Sequence, residues 1–351
     1  MTLQGGVELR EIVKLQGEAP LCTRLPDGAK PLGAAAAAAA FAAIFDGLVD
    51  DNDLAAFLTA LARRGETVTE VAAAARALRT RAQTIVAPAD AIDVCGTGGD
   101  GRNTLNVSTA VAIVVAACGV PVAKHGNRAA SSQAGAADTL EALGLDLSRA
   151  SDAAEDTLAR LGIAFLFAQV HHPALAKLAA VRRAIGRRTI LNLTGPAANP
   201  ARVTRQLIGV ARPGFLGVFA GAIALLGTEA TLLVAGDEPL DELSIDGPST
   251  LLWVGRPLIE QVATRVNPDD AGLPHHPLSA LRGGSAAFNA AALTRLLAGE
   301  PGAYRDAVLF NAAAALQVAE VAADWPGGVA QATAAIDSGA AARLLAAWIA
   351  A

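Results

Sequence analysis

The spacing of apolar and polar positions changes once along the chain, near residue 90. Before that point it is helical. Leu54, Phe57, Leu58 and Leu61 fall at i, i+3, i+4 and i+7, behind the cap candidates Asp51, Asn52 and Asp53 and ahead of Gly65, which predicts a helix with one apolar face. The alanine-rich run Ala34 to Phe45 stops at Asp46 and Gly47 and predicts another, because alanine has the highest intrinsic helix propensity. Thr67 and Glu70 fit a capping box ahead of a third, Val71 to Arg81. Residues 1–33 hold prolines and glycines and one short helical stretch around Val7 to Leu15, and read as a loosely tied N-terminal extension.

Past a linker at Ala87 to Ala91, short apolar runs alternate with glycine loops and helical segments. Ile92 to Val94, Val120 to Ala123, Ile163 to Phe167, Gln206 to Val210 and Thr231 to Val234 read as strands, and this alternation predicts an α/β region. The uncharged stretch Leu105 to Ala123 is long enough to raise a membrane question. Its Asn106, Ser108, Thr109, Gly119 and Pro121 favour a fully buried helix instead.

Composition narrows the classes. Hydrophobic residues make up 53% of the chain but aromatics only 4%, so small aliphatic side chains must fill the core, as in helices packed on a buried sheet. A formal net charge of -5 argues against a nucleic-acid binder held by counterion release, so any phosphate must be bound locally. Cys22, Cys95 and Cys118 form no CxxC pair, and no secretory leader is evident, which fits a reducing cytoplasm.

Three constellations carry chemistry. The first is the loop Cys95 to Gly101 (CGTGGDG) followed by Asn106, Val107, Ser108 and Thr109. Glycines let backbone amides approach an anion, and a helix N-terminus adds free donors, so a strand–glycine loop–helix suits phosphate. Its spacing is neither a Walker loop nor a dinucleotide fingerprint, and alone it reads almost equally well as an ordinary turn. The second is Lys124 to Ser132 (KHGNRAASS) after the next strand. The chain has four lysines, Lys14, Lys30, Lys124 and Lys177, among 28 cationic side chains, and a compact ammonium in that loop suits phosphate oxygens better than it suits a solvated turn. In the third, Asp237, Glu238, Asp241 and Glu242 crowd six positions with Ser244 close behind. Magnesium takes one or two carboxylates plus substrate phosphates, so this cluster can anchor it; without the phosphate loops it would read as a solvated acidic loop.

The blocks GTGGD, NVST, KHGNR with SS, ADTLEALG and DELS occur in the order found in anthranilate phosphoribosyltransferases, and the chain resembles that family over nearly its whole length after Pro31. The resemblance implies an enzyme that transfers the phosphoribosyl group of phosphoribosyl pyrophosphate to the amine of anthranilate in tryptophan biosynthesis. It implies that Gly96, Gly99, Asp100, Thr104, Asn106, Val107, Ser108 and Thr109, together with Lys124, His125, Gly126, Asn127, Arg128, Ala129, Ala130, Ser131, Ser132 and Ala136, surround the donor. Ser108, Asp241 and Glu242 would hold Mg2+. Gly96, Asn127 and Arg182 would receive anthranilate, with Lys124 and Arg182 as the catalytic pair; a guanidinium matches a carboxylate in geometry.

The fold so implied is α/β: a small N-terminal all-helical domain (34–88, joined by helices around 172–190) and a large α/β domain (89–351) with a central, mostly parallel sheet. A homodimer is the family expectation, with small-molecule substrates and neither nucleic acid nor membrane as partner. The chain departs from the family pattern at Ala136, Gln169, His171, Thr194, Ala197 and Ala198, positions read as lining or adjoining the acceptor tunnel. A paralogue acting on another aromatic amine, a pyrimidine nucleoside phosphorylase of the same fold and a non-catalytic nucleic-acid-binding relative are the alternatives. KHGNR in place of KxSGRG disfavours the second, and the intact GTGGD and DE blocks disfavour the third.

Overall fold

The computed structural model describes residues 24–129, 132–256 and 263–351. The helix expected at Val7 to Leu15 and the donor residues Ala130 and Ser131 lie outside the described residues.

Three helices, Ala34–Asp46, Asp51–Arg64 and Val68–Arg79, open the described chain. Their ends follow from local chemistry. Asp50, one residue before the expected cap candidates, accepts the Asn52 amide at 2.8 Å. The Thr67–Glu70 capping box forms as the pattern requires, and the helix begins at Val68 because the box fixes the first turn. Glu70 does more than cap: fully buried, it accepts the Leu32 amide at 2.9 Å and pairs with Arg64. Residues 28–32 are thus tied down and not loose, with the Gly28 carbonyl held by Arg64 Nε at 3.1 Å.

Seven strands form one sheet in the order β3-β2-β1-β4-β5-β6-β7. They are β1 Ile92–Gly96, β2 Val122–Gly126, β3 Ile163–Phe167, β4 Arg205–Gly209, β5 Ala230–Gly236, β6 Ser249–Val254 and β7 Thr264–Val266. Pairing is parallel from β3 through β5 and antiparallel beyond it. The last two strands were not legible as strands; the antiparallel hairpin-like return covers the β5 edge.

The pleat sorts side chains into two cores. Leu207, Leu232, Val234 and Leu251 pack with the helix Val107–Ala117 and the C-terminal helices Ala303–Val318 and Ala340–Ala350. Ile208, Leu233, Ala235 and Leu252 face the N-terminal helices through the helix Leu216–Leu226. Val107–Ala117 is apolar on all sides because it is enclosed on all sides. No helix among the described residues is long and apolar enough to cross a membrane. Helices Pro173–Lys177 and Ala179–Ile185 leave the sheet and pack on Ala34–Asp46 and Asp51–Arg64 respectively.

From β1 the chain moves outward through β2 to β3 and then returns to β4 on the opposite side of β1. The carboxyl ends of β1 and β4 therefore frame the crevice where open α/β sheets bind ligands.

Candidate active site

A cleft of about 310 Å³ opens at that crevice, running from the loop after β1 to the helix Ala179–Ile185. The loop after β1 bends through left-handed backbone at Gly98 (φ 63°), Gly99 (φ 74°) and Gly101 (φ 73°), which a side chain would strain. Thr97 pins it to β4: its amide donates to the Gly209 carbonyl at 2.9 Å, and its hydroxyl accepts the Ala211 amide at 3.1 Å. At the start of the following helix the Asn106 side chain makes no cap bond. Asn106 Oδ1 instead accepts from Thr139 Oγ1 at 2.6 Å and Asn289 Nδ2 at 2.8 Å, so the Asn106 side chain leaves the first-turn amides uncapped.

Ser108 faces the cleft, whereas the side chains of Val107 and Thr109 are buried in the core. A helix packed on all sides turns successive residues about 100° apart, so only the backbone of those two can serve a ligand. Lys124 is also almost wholly enclosed, with 2% of its surface exposed, although it lines the cleft. Its ammonium donates to the Val94 carbonyl at 2.7 Å and Ser108 Oγ at 3.2 Å. Burial lowers its pKa, while the charges of Asp93, Cys95 and Glu242 act the other way.

Asp241 and Glu242 sit against the carboxyl ends of β1 and β4. A Cβ at Gly96 would collide with the Asp241 carboxylate, and one at Gly209 with its main-chain carbonyl, so both glycines make room for this acid. Asp241 Oδ2 accepts the Gly98 amide at 2.6 Å. Burial, and then the nearby charge of Asp100, raises the Asp241 carboxyl to about 7. Glu242 is pushed well above the carboxylate range by burial and by Asp241 and Asp100, and its Oε2 is buried without a partner. Two buried acids with raised pKa values beside the charge of Asp100, one of them with an orphaned oxygen, fit a divalent cation. Among the described residues no group of three or more His, Cys, Asp or Glu could hold a metal ion by itself. The other two acids of the cluster turn away: Asp237 pairs with Arg265, and Glu238 accepts from Ser244 Oγ.

At the other end of the cleft, Arg182 is half-buried and lines the wall together with Asn127 and Gly96. Burial lowers the pKa of its guanidinium. His125 lies beneath, with Nδ1 at 3.0 Å from the Gly195 carbonyl and its ring edge-on to His172 at 5.0 Å. Gly99, Asp100, Thr104, Gly126, Ala129, Ser132 and Ala136 also line the cleft.

Arg128 lines the cleft, and its guanidinium bonds Asp138 at 3.0 Å, pairs with Glu141 and lies 5.5 Å from the centroid of Phe167. Two carboxylates on the helix Ala136–Ala142 and the aromatic face of Phe167 at the end of β3 outcompete solvent for it. Sequence reasoning missed two organising residues. Asp138 Oδ2 accepts the amides of Ala129 and Gly135 at 2.9 Å each and so shapes the loop after β2; its place in the first turn of Ala136–Ala142 was the available signal. Arg188 donates to the Gly98 carbonyl at 2.9 Å, and no local pattern marks that contact.

Comparisons with known proteins identify the family and the fold. Residues 88–342 match the model of the glycosyl transferase family a/b domain, and residues 19–82 that of its helical bundle domain. The anthranilate phosphoribosyltransferase of Novosphingobium aromaticivorans is 60% identical over 329 residues, covering 94% of this chain and 99% of that protein. The chain belongs to the anthranilate phosphoribosyltransferase family. The crystal structure of the anthranilate phosphoribosyltransferase from Thermus thermophilus superposes with a TM-score of 0.86 at 41% identity, covering 92% of this chain and 96% of that one. The Saccharomyces cerevisiae anthranilate phosphoribosyltransferase, solved in complex with PRPP and Mg, gives 0.82 at 28% identity, covering 91% and 93%.

Against the pattern of anthranilate phosphoribosyltransferases, the six departures fall unevenly. Ala136 lines the cleft, whereas Gln169, His171, Thr194, Ala197 and Ala198 do not. His171 is buried with Nδ1 at 2.7 Å from the Gln83 carbonyl, Ala197 and Ala198 are core residues, and Gln169 is exposed. Gln169, Thr194 and Ala197 adjoin in sequence the cleft-lining Ala168, Gly195 and Pro196.

Proposed function

We propose that this chain transfers the phosphoribosyl group of phosphoribosyl pyrophosphate to the amine of anthranilate, giving N-(5-phosphoribosyl)anthranilate and pyrophosphate. The observation that carries the reading is one cleft with a glycine loop and the acids Asp241 and Glu242 at one end and the half-buried Arg182 at the other. A donor with a pyrophosphate and an acceptor with a carboxylate each find their complement there.

Lys124, Ser108 and the amides of the glycine loop hold the pyrophosphate end of the donor, and Asn127, Gly126 and Ser132 extend that surface. Arg182 fixes the acceptor carboxylate, with Asn127 and Gly96 beside the ring. The amine lone pair attacks the ribosyl C1 as the bond from C1 to the pyrophosphate oxygen breaks, and the amine proton leaves to solvent. An arylamine is neutral at pH 7, so no strong base is needed, and the rate comes from alignment and from stabilised charge on the leaving group. Ser108, Asp241 and Glu242 would hold Mg2+, which when bound supplies positive charge to the departing pyrophosphate.

The yeast relative solved with 4-fluoroanthranilate supports the acceptor class. Family membership further supports a place in tryptophan biosynthesis in the cytoplasm, a homodimeric state, and a division into a helical unit (34–88 with 172–190) and an α/β unit (89–351). Loss of anthranilate fluorescence in the presence of phosphoribosyl pyrophosphate and Mg2+ tests the reading, alongside a panel of substituted arylamines. Turnover of anthranilate is expected; turnover only of another amine would assign the chain to that acceptor instead.

A further inference from the structure

A second cavity, of about 170 Å³, shares no lining residue with the cleft. It lies between the N-terminal helices and the turn that follows β4. Three guanidiniums, Arg187, Arg188 and Arg212, face one carboxylate, Glu66, so cationic groups exceed anionic ones by two. Arg188 spends one donor on the Gly98 carbonyl, and its Nε is buried without a partner. Among the described residues, neither Arg187 nor Arg212 lies within ion-pair distance of a carboxylate. Burial, and then the Arg212 charge, lower the pKa of Arg188, while the charges of Asp241, Glu66 and Asp100 act the other way.

The remaining wall includes the buried Val210 and the ring of Phe215. An excess of guanidinium beside an apolar surface selects a ligand with both characters. A phosphate alone would leave the apolar wall wet, and a hydrocarbon would leave the charges unpaired. Size sets the scale: an apolar cavity of ~150 Å³ accepts one benzene ring. We propose that this cavity binds a small monocarboxylate carrying a single ring, with its carboxylate toward Arg187, Arg188 and Arg212 and its ring against Val210 and Phe215. The site is separate from the acceptor position at Arg182 and does not depend on the reaction proposed for the cleft.

Benzoate, titrated calorimetrically into the full chain without donor, tests this. Arg187 and Arg212 are exposed, so Arg187→Gln with Arg212→Gln is expected to fold with an unchanged melting temperature. Two benzoate sites are expected in the unaltered chain. One is lost in Arg182→Ala, and the other weakens at least about tenfold in the Arg187→Gln, Arg212→Gln protein, because a hydrogen bond to a charged group contributes ~1.5–3 kcal/mol. Neutral benzamide should fail at the second site. Benzoate binding that is unaffected by the double substitution in a folded protein, or a single site abolished by Arg182→Ala, overturns the proposal. Loss of the second site with Arg182→Ala binding unchanged would sustain it and count only against the acceptor assignment.

Discussion

Arg188 and Asp241 hold the same residue from opposite sides: Arg188 Nη1 donates to the Gly98 carbonyl at 2.9 Å, and Asp241 accepts the Gly98 amide at 2.6 Å. Arg188 lies just past the helix that carries Arg182, and Asp241 lies in the loop after β5. The glycine loop is thus clamped between the segment that follows the Arg182 helix and the proposed metal acids. Arg188→Ala should free Gly98 and raise the donor KM about fivefold, since a partly solvated hydrogen bond is worth ~1 kcal/mol. Steady-state kinetics with the donor varied at saturating anthranilate reads this out. A donor KM that does not move would reduce the contact to an incidental one.

Asp241→Asn combined with Glu242→Gln should raise the Mg2+ concentration needed for half-maximal rate by at least roughly tenfold, because carboxylates dominate binding of a hard cation. The metal-free protein should melt no lower than the unaltered chain, since buried like charges are removed. Gly209→Ala should produce the same Mg2+ defect by displacing the Asp241 backbone. A normal Mg2+ titration of the double variant would assign these acids a purely structural role.

Lys124→Met should impair donor binding and also destabilise the protein. The buried ammonium faces Asp93 and Glu242, and removing one partner of a buried charge group costs about 3–5 kcal/mol. Thermal melting and donor KM should therefore change together. A variant with a weakened donor KM and an unchanged melting temperature would show that the ammonium serves the ligand alone.

Arg182→Ala should raise the anthranilate KM steeply and narrow the preference for anthranilate over aniline, while the donor KM changes little. Dry sites that pair with a substrate group reject analogues lacking it by factors up to ~10⁴. Competition between the two amines measures the preference; if it survives in full, another residue reads the carboxylate.

His172 and His125 should make the protein sensitive to acid. Burial, reinforced by neighbouring imidazoles, holds His172 at about 4 and His125 at about 3. Below the ordinary histidine value of ~6.5 the unfolded chain takes up protons that the folded chain refuses, so stability is lost as pH falls from there toward 4. The His172 contribution is on the order of 3 kcal/mol across that window. His172→Phe should flatten the fall in melting temperature between pH 6.5 and 4, and an unaltered slope would place the acid sensitivity elsewhere.

Much of this protein is legible one segment at a time. The helical spacing of Leu54, Phe57, Leu58 and Leu61, the Thr67–Glu70 box and the glycine run after Ile92 to Val94 each act within a few residues, and each yields the expected element. The ordered blocks from GTGGD to DELS carried the family and the cleft-lining loops with them for the same reason. Directions of side chains were not legible. Lys124 turns inward to Val94 and Ser108, Arg128 turns to Asp138 and Glu141, and Arg188 crosses 90 positions of sequence to Gly98. A motif states which groups are available nearby. Which partner each one takes is a competition among groups distant in sequence, and it is decided only when β1, β2 and β4 bring those groups within hydrogen-bond distance.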